Sequence, residues 1–169
     1  EKKLPQHNRT AWTASWSYDD KYVAVGDDQG SLVIYETATW KKVKSWKYEI
    51  ATITRVEWNP KYPVLAVASV SHKKQEGVVQ LLDMEKDKVL LTRADSLMGR
   101  AVSWSPDGNL VALVGSKGKI SLFSKEGKWE KTLSYTNPRS LMDIDWHPKK
   151  NLLLAVEEDI YVIDIDKDS

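Results

Sequence analysis

The side chains that could do chemistry in this 169-residue chain are three histidines, several adjacent carboxylates and many serines. His7, His72 and His147 fall in three different connections between predicted strands, without His-x-x-x-His spacing, and the chain has no cysteine. Zinc is held by closely spaced His and Cys ligands. We therefore expect solvated histidines and no metal site.

The serines and carboxylates do not form a catalytic pattern either. No serine lies in a Gly-x-Ser-x-Gly elbow, which is the turn that exposes a nucleophile in many hydrolases. Neighbouring acids such as Asp19-Asp20 and Glu157-Glu158 fall at predicted turns, where water solvates them. The glycines lie between strands and not before a helix, so they do not build a phosphate site. The sequence predicts no catalytic residue, no cofactor and no enzymatic activity.

The most regular feature of the chain is a Trp that returns four times. Trp16, Trp58, Trp104 and Trp146 are separated by 42, 46 and 42 residues. Each ends a segment of alternating polarity and precedes a turn, as in Trp104-Ser105-Pro106-Asp107-Gly108, where Pro and Gly suit the turn dihedrals. A period of this length is typical of four-stranded propeller blades.

The strands after each Trp define the architecture. The second strand of the third repeat, 110–114, is apolar at every position and must be covered on both faces. The fourth strands carry lysines, which discourage pairing at an exposed sheet edge. The sequence therefore predicts an all-β fold, a β-propeller of four-stranded antiparallel blades, with about four blades in a single segment 1–169. The predicted blades are 11–47, 53–92, 100–134 and 141–165.

The ends of the repeat array bear on ring closure. Residues 1–5 have the spacing of an outer strand from an adjoining blade, and the fourth repeat lacks its outer strand. Four blades are at the low end of known propellers, which have ~4–8. We expect the segment to belong to a larger ring of seven or eight blades. The alternative is a homodimer in which two copies complete an eight-bladed ring.

These repeats resemble the WD40-repeat family. Their third strands end where that family carries Trp-Asp, and here the four ends read Tyr35-Glu36, Leu82-Asp83, Phe123-Ser124 and Ile163-Asp164. The repeats are divergent, and we expect them to rely on apolar packing in place of the family's buried hydrogen bonds. The resemblance implies a non-enzymatic scaffold that binds other proteins through its rim loops within a multiprotein complex.

A second resemblance leads to another class of function. The Trp-Ser-Pro-Asp-Gly unit is also similar to propellers attached to TolB-type and prolyl-oligopeptidase-type proteins, and to propellers of translation initiation factor subunits. That resemblance implies a propeller domain that supports or gates a larger enzyme.

Binding by a propeller falls on its rim loops, since the strand interiors are committed to packing. Basic and acidic residues are balanced on the rim that carries the 71–77 connection, so a protein or peptide partner is expected and nucleic acid is not. The predicted partner-binding residues are Trp12, Arg55, His72, Lys73, Lys74, Arg100 and Arg139.

Composition sets the remaining limits. The formal net charge is +1, and no apolar run approaches the ~18 residues of a membrane span. The lack of cysteine and of a signal peptide favours an intracellular location. Of the Trp residues outside the repeat position, Trp46 and Trp129 fall in outer strands, where we predict that they cover a neighbouring blade.

Overall fold

The structure is a computed structural model that describes residues 3–4, 9–49, 51–71, 73–96, 101–114, 119–134 and 141–167. Every regular element in these ranges is a β-strand, and the strands form four antiparallel sheets in which neighbours follow chain order. The prediction of an all-β propeller is confirmed. We call the sheets blades 1 to 4 in chain order.

Blades 1 and 2 each contain four strands. The strands of blade 1 are β1 Ala11–Trp16, β2 Tyr22–Asp27, β3 Ser31–Glu36 and β4 Lys42–Lys47. The strands of blade 2 are β5 Ala51–Trp58, β6 Val64–Ser71, β7 Glu76–Asp83 and β8 Lys88–Ser96.

Blade 3 again has four strands, and blade 4 has three among the described residues. The strands of blade 3 are β9 Val102–Trp104, β10 Leu110–Val114, β11 Lys119–Ser124 and β12 Trp129–Ser134. The strands of blade 4 are β13 Asp143–Trp146, β14 Leu152–Val156 and β15 Ile160–Asp164. The first strand of each blade is the inner one, because β1, β5, β9 and β13 contact one another in chain order.

The described residues form three hydrophobic core clusters, and each is shared by two successive blades. The repeat Trp of the later blade fills each cluster: Trp58, Trp104 and Trp146 are 5%, 4% and 4% exposed. A face-to-face stack of sheets therefore explains why a residue of this size returns at the end of each inner strand.

Trp16 is the exception to this burial. It is 57% exposed, and its ring packs edge-on with the ring of Trp40, with the two ring centroids 6.0 Å apart. No sheet covers this face of blade 1 among the described residues. The same residue type at the same repeat position is thus exposed where the described part of the chain places no sheet against it.

A repeated hydrogen bond joins the blades as well. We call each contact between two successive blades a joint. In all three joints the backbone N–H of the later blade's repeat Trp donates to a side chain of the earlier blade, with an N···O distance of 3.0 Å. The acceptor belongs to the residue directly before the earlier blade's own repeat Trp. The pairs are Trp58 to Ser15 Oγ, Trp104 to Glu57 Oε1 and Trp146 to Ser103 Oγ. The expectation that the blades rely on apolar packing was therefore incomplete.

The turn after the Trp is held by its own side chains. In blade 3, Ser105 Oγ donates to Asp107 Oδ1 and accepts the N–H of Leu110, while Gly108 has φ +72°. Burial alone would raise the pKa of Asp107, but the hydrogen bonds from Ser105 and Asn109 outweigh it and lower the pKa. The turn predicted from Pro and Gly is thus also stabilised by a carboxylate.

Two expectations about the periphery had different outcomes. Trp46 packs against the core between blades 1 and 2, whereas Trp129 is 62% exposed, so its predicted covering role is wrong. Residues 3–4 lie outside any strand and the rest of 1–5 lies outside the described residues, so the outer strand predicted there stays a prediction.

The described residues include no helix long and apolar enough to cross a membrane.

Candidate partner-binding site

Two inner strands carry a β-bulge at the same place in the repeat. The register of β1 against β2 shifts around Trp12, and the register of β5 against β6 shifts around Thr54. Both residues lie four positions before the repeat Trp. A bulge bends its strand and turns the extra side chain out of the ladder. The two bulges therefore place Trp12 and Thr54 at the same end of the inner strands.

Five side chains from blades 1, 2 and 4 meet at this end, and we call them the axial site: Trp12, Thr54, Arg55, Met142 and Asp143. They line a cleft of about 390 Å³. Arg55 Nη1 lies 3.0 Å from Asp143 Oδ1, so this ion pair connects blade 2 directly to blade 4. Trp12 and Met142 are 63% and 50% exposed. The site thus combines a cation, a carboxylate and two accessible apolar surfaces.

A second cleft, of about 350 Å³, adjoins the axial site and shares Trp12 and Arg55 with it. Glu57 lies on its wall, where Oε1 accepts the Trp104 N–H and Oε2 lies 3.4 Å from Arg55 Nε. Burial raises the pKa of Glu57, and the nearby Asp145 raises it further. Together these effects outweigh the Trp104 hydrogen bond and the Arg55 charge.

The raised pKa gives a prediction for Glu57→Gln. The folded state holds the proton of Glu57 more tightly than the unfolded chain, whose glutamates titrate near 4.5. The stability that this proton contributes is present below pH 4.5 and is lost as the pH rises through the folded pKa. We expect the free energy of unfolding of the wild type, relative to Glu57→Gln, to fall from pH 4.5 upward. The fall should be about 1.4 kcal/mol for each unit by which the pKa is raised.

Urea unfolding at a series of pH values measures this difference. Glu126→Gln serves as the control, because the Lys125 side chain lowers the pKa of this exposed carboxyl. The contribution of Glu126 to the free energy of unfolding therefore changes only below pH 4.5. The prediction would be contradicted if the difference in the free energy of unfolding between the wild type and Glu57→Gln did not vary above pH 4.5.

The structure brings two of the predicted partner-binding residues together and separates others. Trp12 and Arg55 share both axial clefts. Lys73 and Lys74 lie in the β6–β7 connection beside a different cleft of about 310 Å³. Lys74 Nζ there is 3.5 Å from Glu76 Oε1. His72, Arg100 and Arg139 lie outside the described residues, and their roles stay predictions.

The cleft beside Lys73 and Lys74 is closed on one side by Tyr48. Its hydroxyl donates to Gln80 Oε1 at 2.7 Å, and burial raises the pKa of Tyr48 to about 12. A neutral phenol fixed in this way is a wall of the cleft and not a proton donor to a ligand. The described residues also contain no group of three or more His, Asp or Glu side chains placed to hold a metal ion.

Sequence reasoning missed Met142 and Asp143. A signal was available, because Met142 has the same four-residue offset from its repeat Trp as Trp12 and Thr54 have from theirs. Asp143 lies three residues before Trp146, just as Arg55 lies three residues before Trp58. A comparison of equivalent positions across repeats, instead of a search for single charged residues, would have found both.

The stacked antiparallel sheets, their inner strands and the repeat Trp identify the class of protein, a β-propeller repeat protein. A family model described as "WD domain, G-beta repeat" matches residues 1–36. With the WD-repeat relatives below, this match shows that the chain is similar to the WD40-repeat family.

The relatives differ in how much of the chain they match. A WD repeat-containing protein of Schistosoma mansoni is 26% identical over 66% of this chain and 36% of its own length. Eukaryotic translation initiation factor 3 subunit I of Kluyveromyces lactis is 28% identical over 70% of this chain and 34% of its own. A WD repeat-containing protein of Schizosaccharomyces pombe is 27% identical over 65% of this chain and 18% of its own length. The chain thus spans about a fifth to a third of the length of these curated relatives.

Proposed function

We propose that this chain is a non-enzymatic scaffold segment whose axial site binds a short acidic segment of another protein. The observation that carries the proposal is the convergence of Trp12, Arg55, Met142 and Asp143 from three blades on one cleft. Trp, Met and Arg are the residue types enriched at protein interfaces, and Trp and Arg dominate binding hot spots.

The acidic character of the ligand follows from the Arg55–Asp143 pair. The Arg55 and Asp143 side chains are 30% and 55% exposed, and an ion pair in contact with solvent contributes only about 0–1 kcal/mol. A carboxylate of the partner can therefore replace Asp143 on the guanidinium at little cost. The planar guanidinium of Arg55 suits two parallel hydrogen bonds to such a carboxylate.

Membership of a larger assembly is part of the proposal. One relative is named as a subunit of a translation initiation factor, and none of the relatives' names describes an enzymatic activity. We propose that this chain is likewise built into an intracellular multiprotein complex, with proteins and not nucleic acid as its partners. We also propose that two copies of the chain associate as a homodimer.

Selection from a random peptide library against the purified chain tests the axial site. We expect the selected peptides to be rich in Asp or Glu beside an apolar residue. Trp12→Ala and Arg55→Ala are each expected to weaken the best peptide at least about tenfold, a loss typical of hot-spot residues.

Trp129→Ala is the matched control, because Trp129 is 62% exposed in an outer strand and Trp12 is 63% exposed at the axial site. The control should bind the selected peptide with unchanged affinity. Peptides that lose affinity with Trp129→Ala, or that keep it with both axial variants, would contradict the proposed site.

A further inference from the structure

A cleft lies between blades 1 and 2, at the end of the inner strands opposite to the axial site. The turn that follows Trp16 lines it, whereas the axial residues precede the repeat Trp. Ile34 belongs to the core cluster that the two blades share, and Lys44 Nζ donates to the backbone oxygen of Met84 across the joint at 3.3 Å. The cleft, which we call the joint cleft, is thus bounded by two blades that the structure describes.

The joint cleft is large enough for one side chain of a ligand, and much of its wall is apolar. Its volume is about 320 Å³, at the lower end of the ~300–1,000 Å³ of ligand sites. Among the lining residues, the ring of Tyr22 stacks on Trp58 with the ring centroids 6.4 Å apart. Tyr18 and Val43, which also line the cleft, are each 47% exposed. A ligand side chain can therefore contact both aromatic and aliphatic surface here.

In the joint between blades 2 and 3, a ring of the chain itself fills the equivalent place. Tyr62 packs there against the shared core cluster, and Lys125 Nζ lies 4.8 Å from the centre of its ring. Lys125 is the equivalent of Met84, which lines the joint cleft. The N–H of each donates to the backbone oxygen of the residue directly before its blade's second strand. The second joint thus shows what kind of group fits against this position.

Blade 1 does not supply a ring in this way. Four residues after its repeat Trp, at the position of Tyr62, it carries Asp20, whose side chain is exposed and whose φ is +60°. Asp and Asn enter this left-handed region more readily than bulky residues do. The turn after β1 therefore suits a small polar residue, and the joint cleft is the space that remains.

Charge at the mouth of the joint cleft favours a cation on the ligand. Lys21 Nζ lies 3.2 Å from Asp19 Oδ2, and Lys44 Nζ lies 2.8 Å from Asp87 Oδ1, so these four charges cancel in pairs. Glu85 also lines the cleft, is exposed and has no ion pair with any residue that the structure describes. The mouth thus carries one uncompensated negative charge.

We propose that the joint cleft is a second binding site, which takes an aromatic side chain of another protein with a Lys or Arg close to it in sequence. The aromatic ring takes the place that the Tyr62 ring has in the second joint and packs on Met84, whose thioether makes favourable contacts with rings. The neighbouring cation pairs with Glu85. This ligand is opposite in charge to the acidic segment proposed for the axial site, so the two sites bind different segments.

Selection from a peptide library against the purified chain tests the joint cleft. Each peptide carries one aromatic residue with a Lys or Arg within two positions, and its other positions are random but uncharged. We expect the chain to select binders from this library. Val43→Trp adds a ring at the wall of the cleft and should weaken the best peptide at least about tenfold, as expected when a central contact is blocked.

Val89→Trp is the matched control for this substitution. Val43 and Val89 are 47% and 49% exposed on the outer strands β4 and β8, and Val89 does not line the cleft. The control should bind the peptide with unchanged affinity, and circular dichroism checks that both variants remain folded. A library without binders, or equal affinities for the two folded variants, would overturn the proposal.

A charge exchange tests the pairing with Glu85. Glu85→Lys should weaken the selected peptide by about threefold or more, a modest effect because exposed ion pairs are weak. Replacing the peptide's Lys or Arg by Glu should restore its affinity for this variant. Glu130→Lys makes the same change in net charge on the outer strand β12 and should have no effect. Equal losses in the two variants, or no recovery with the exchanged peptide, would overturn the proposed ligand.

Variants of the axial site separate this inference from the proposed function. Trp12→Ala and Arg55→Ala should leave the affinity of the aromatic and basic peptide unchanged, since neither residue lines the joint cleft. A loss of this peptide's affinity in the axial variants would overturn the joint cleft as a binding site and leave the axial site standing.

Discussion

Replacement of Trp104 by Ala is expected to lower the free energy of unfolding by about 3–5 kcal/mol, the usual cost of removing a buried aromatic side chain. Trp104 is 4% exposed and fills the cluster between blades 2 and 3. Its indole N–H also donates to the backbone oxygen of Glu57 at 3.1 Å, and Ala removes this hydrogen bond. Urea unfolding followed by circular dichroism measures the loss.

Trp16→Ala provides the internal comparison for this result. Trp16 has the same repeat position but is 57% exposed. In dilute solution, where copies of the chain are separate, we expect it to cost less than about 1 kcal/mol. Equal costs for the two variants in dilute solution would contradict the stacking of blades described above.

Asn59→Ala is expected to cost about 1–3 kcal/mol, because it removes a buried hydrogen bond to Gly108 and two hydrogen bonds within a turn. Asn59 is fully buried, and its Nδ2 donates to the backbone oxygen of Gly108 at 2.8 Å across the joint between blades 2 and 3. Its Oδ1 accepts the N–H groups of Lys61 and Tyr62 and so shapes the turn after β5.

Asn109→Ala is the control for this substitution. Asn109 is an exposed asparagine in the equivalent turn of blade 3, where its side chain donates to the exposed Asp107 carboxylate, and its loss should cost less than about 1 kcal/mol. Thermal unfolding of the two variants beside the wild type compares them directly. An Asn59→Ala protein as stable as Asn109→Ala would show that the buried amide does not hold the two blades together.

The sequence was sufficient to predict the class of fold, because the signals that define it are local. The four Trp residues, the turn after each and an apolar strand such as 110–114 lie within a few residues of one another. Each blade is built from short hairpins, so alternating polarity and turn residues determine its strands. The faces of those strands could be assigned once the period was recognised.

The features that the sequence did not predict depend on which sheet lies next to a residue. Trp16 and Trp104 are preceded and followed by similar residues, and only the presence or absence of a neighbouring blade makes one exposed and the other buried. The Arg55–Asp143 pair joins residues far apart in the chain. Its formation requires the curvature of the stack, which no local pattern encodes. The bulge at Thr54 likewise follows from the mismatch between two paired strands.

The division of the core into three shared clusters has a consequence for the motions of the chain. Blades 2 and 3 each contribute to two clusters, whereas blades 1 and 4 each contribute to one. In such a nearest-neighbour array, stability is a sum over units and their contacts. The terminal sheets therefore open locally at a lower free energy than the middle ones, and their amide hydrogens exchange first. Any molecule that covers either terminal face slows this exchange.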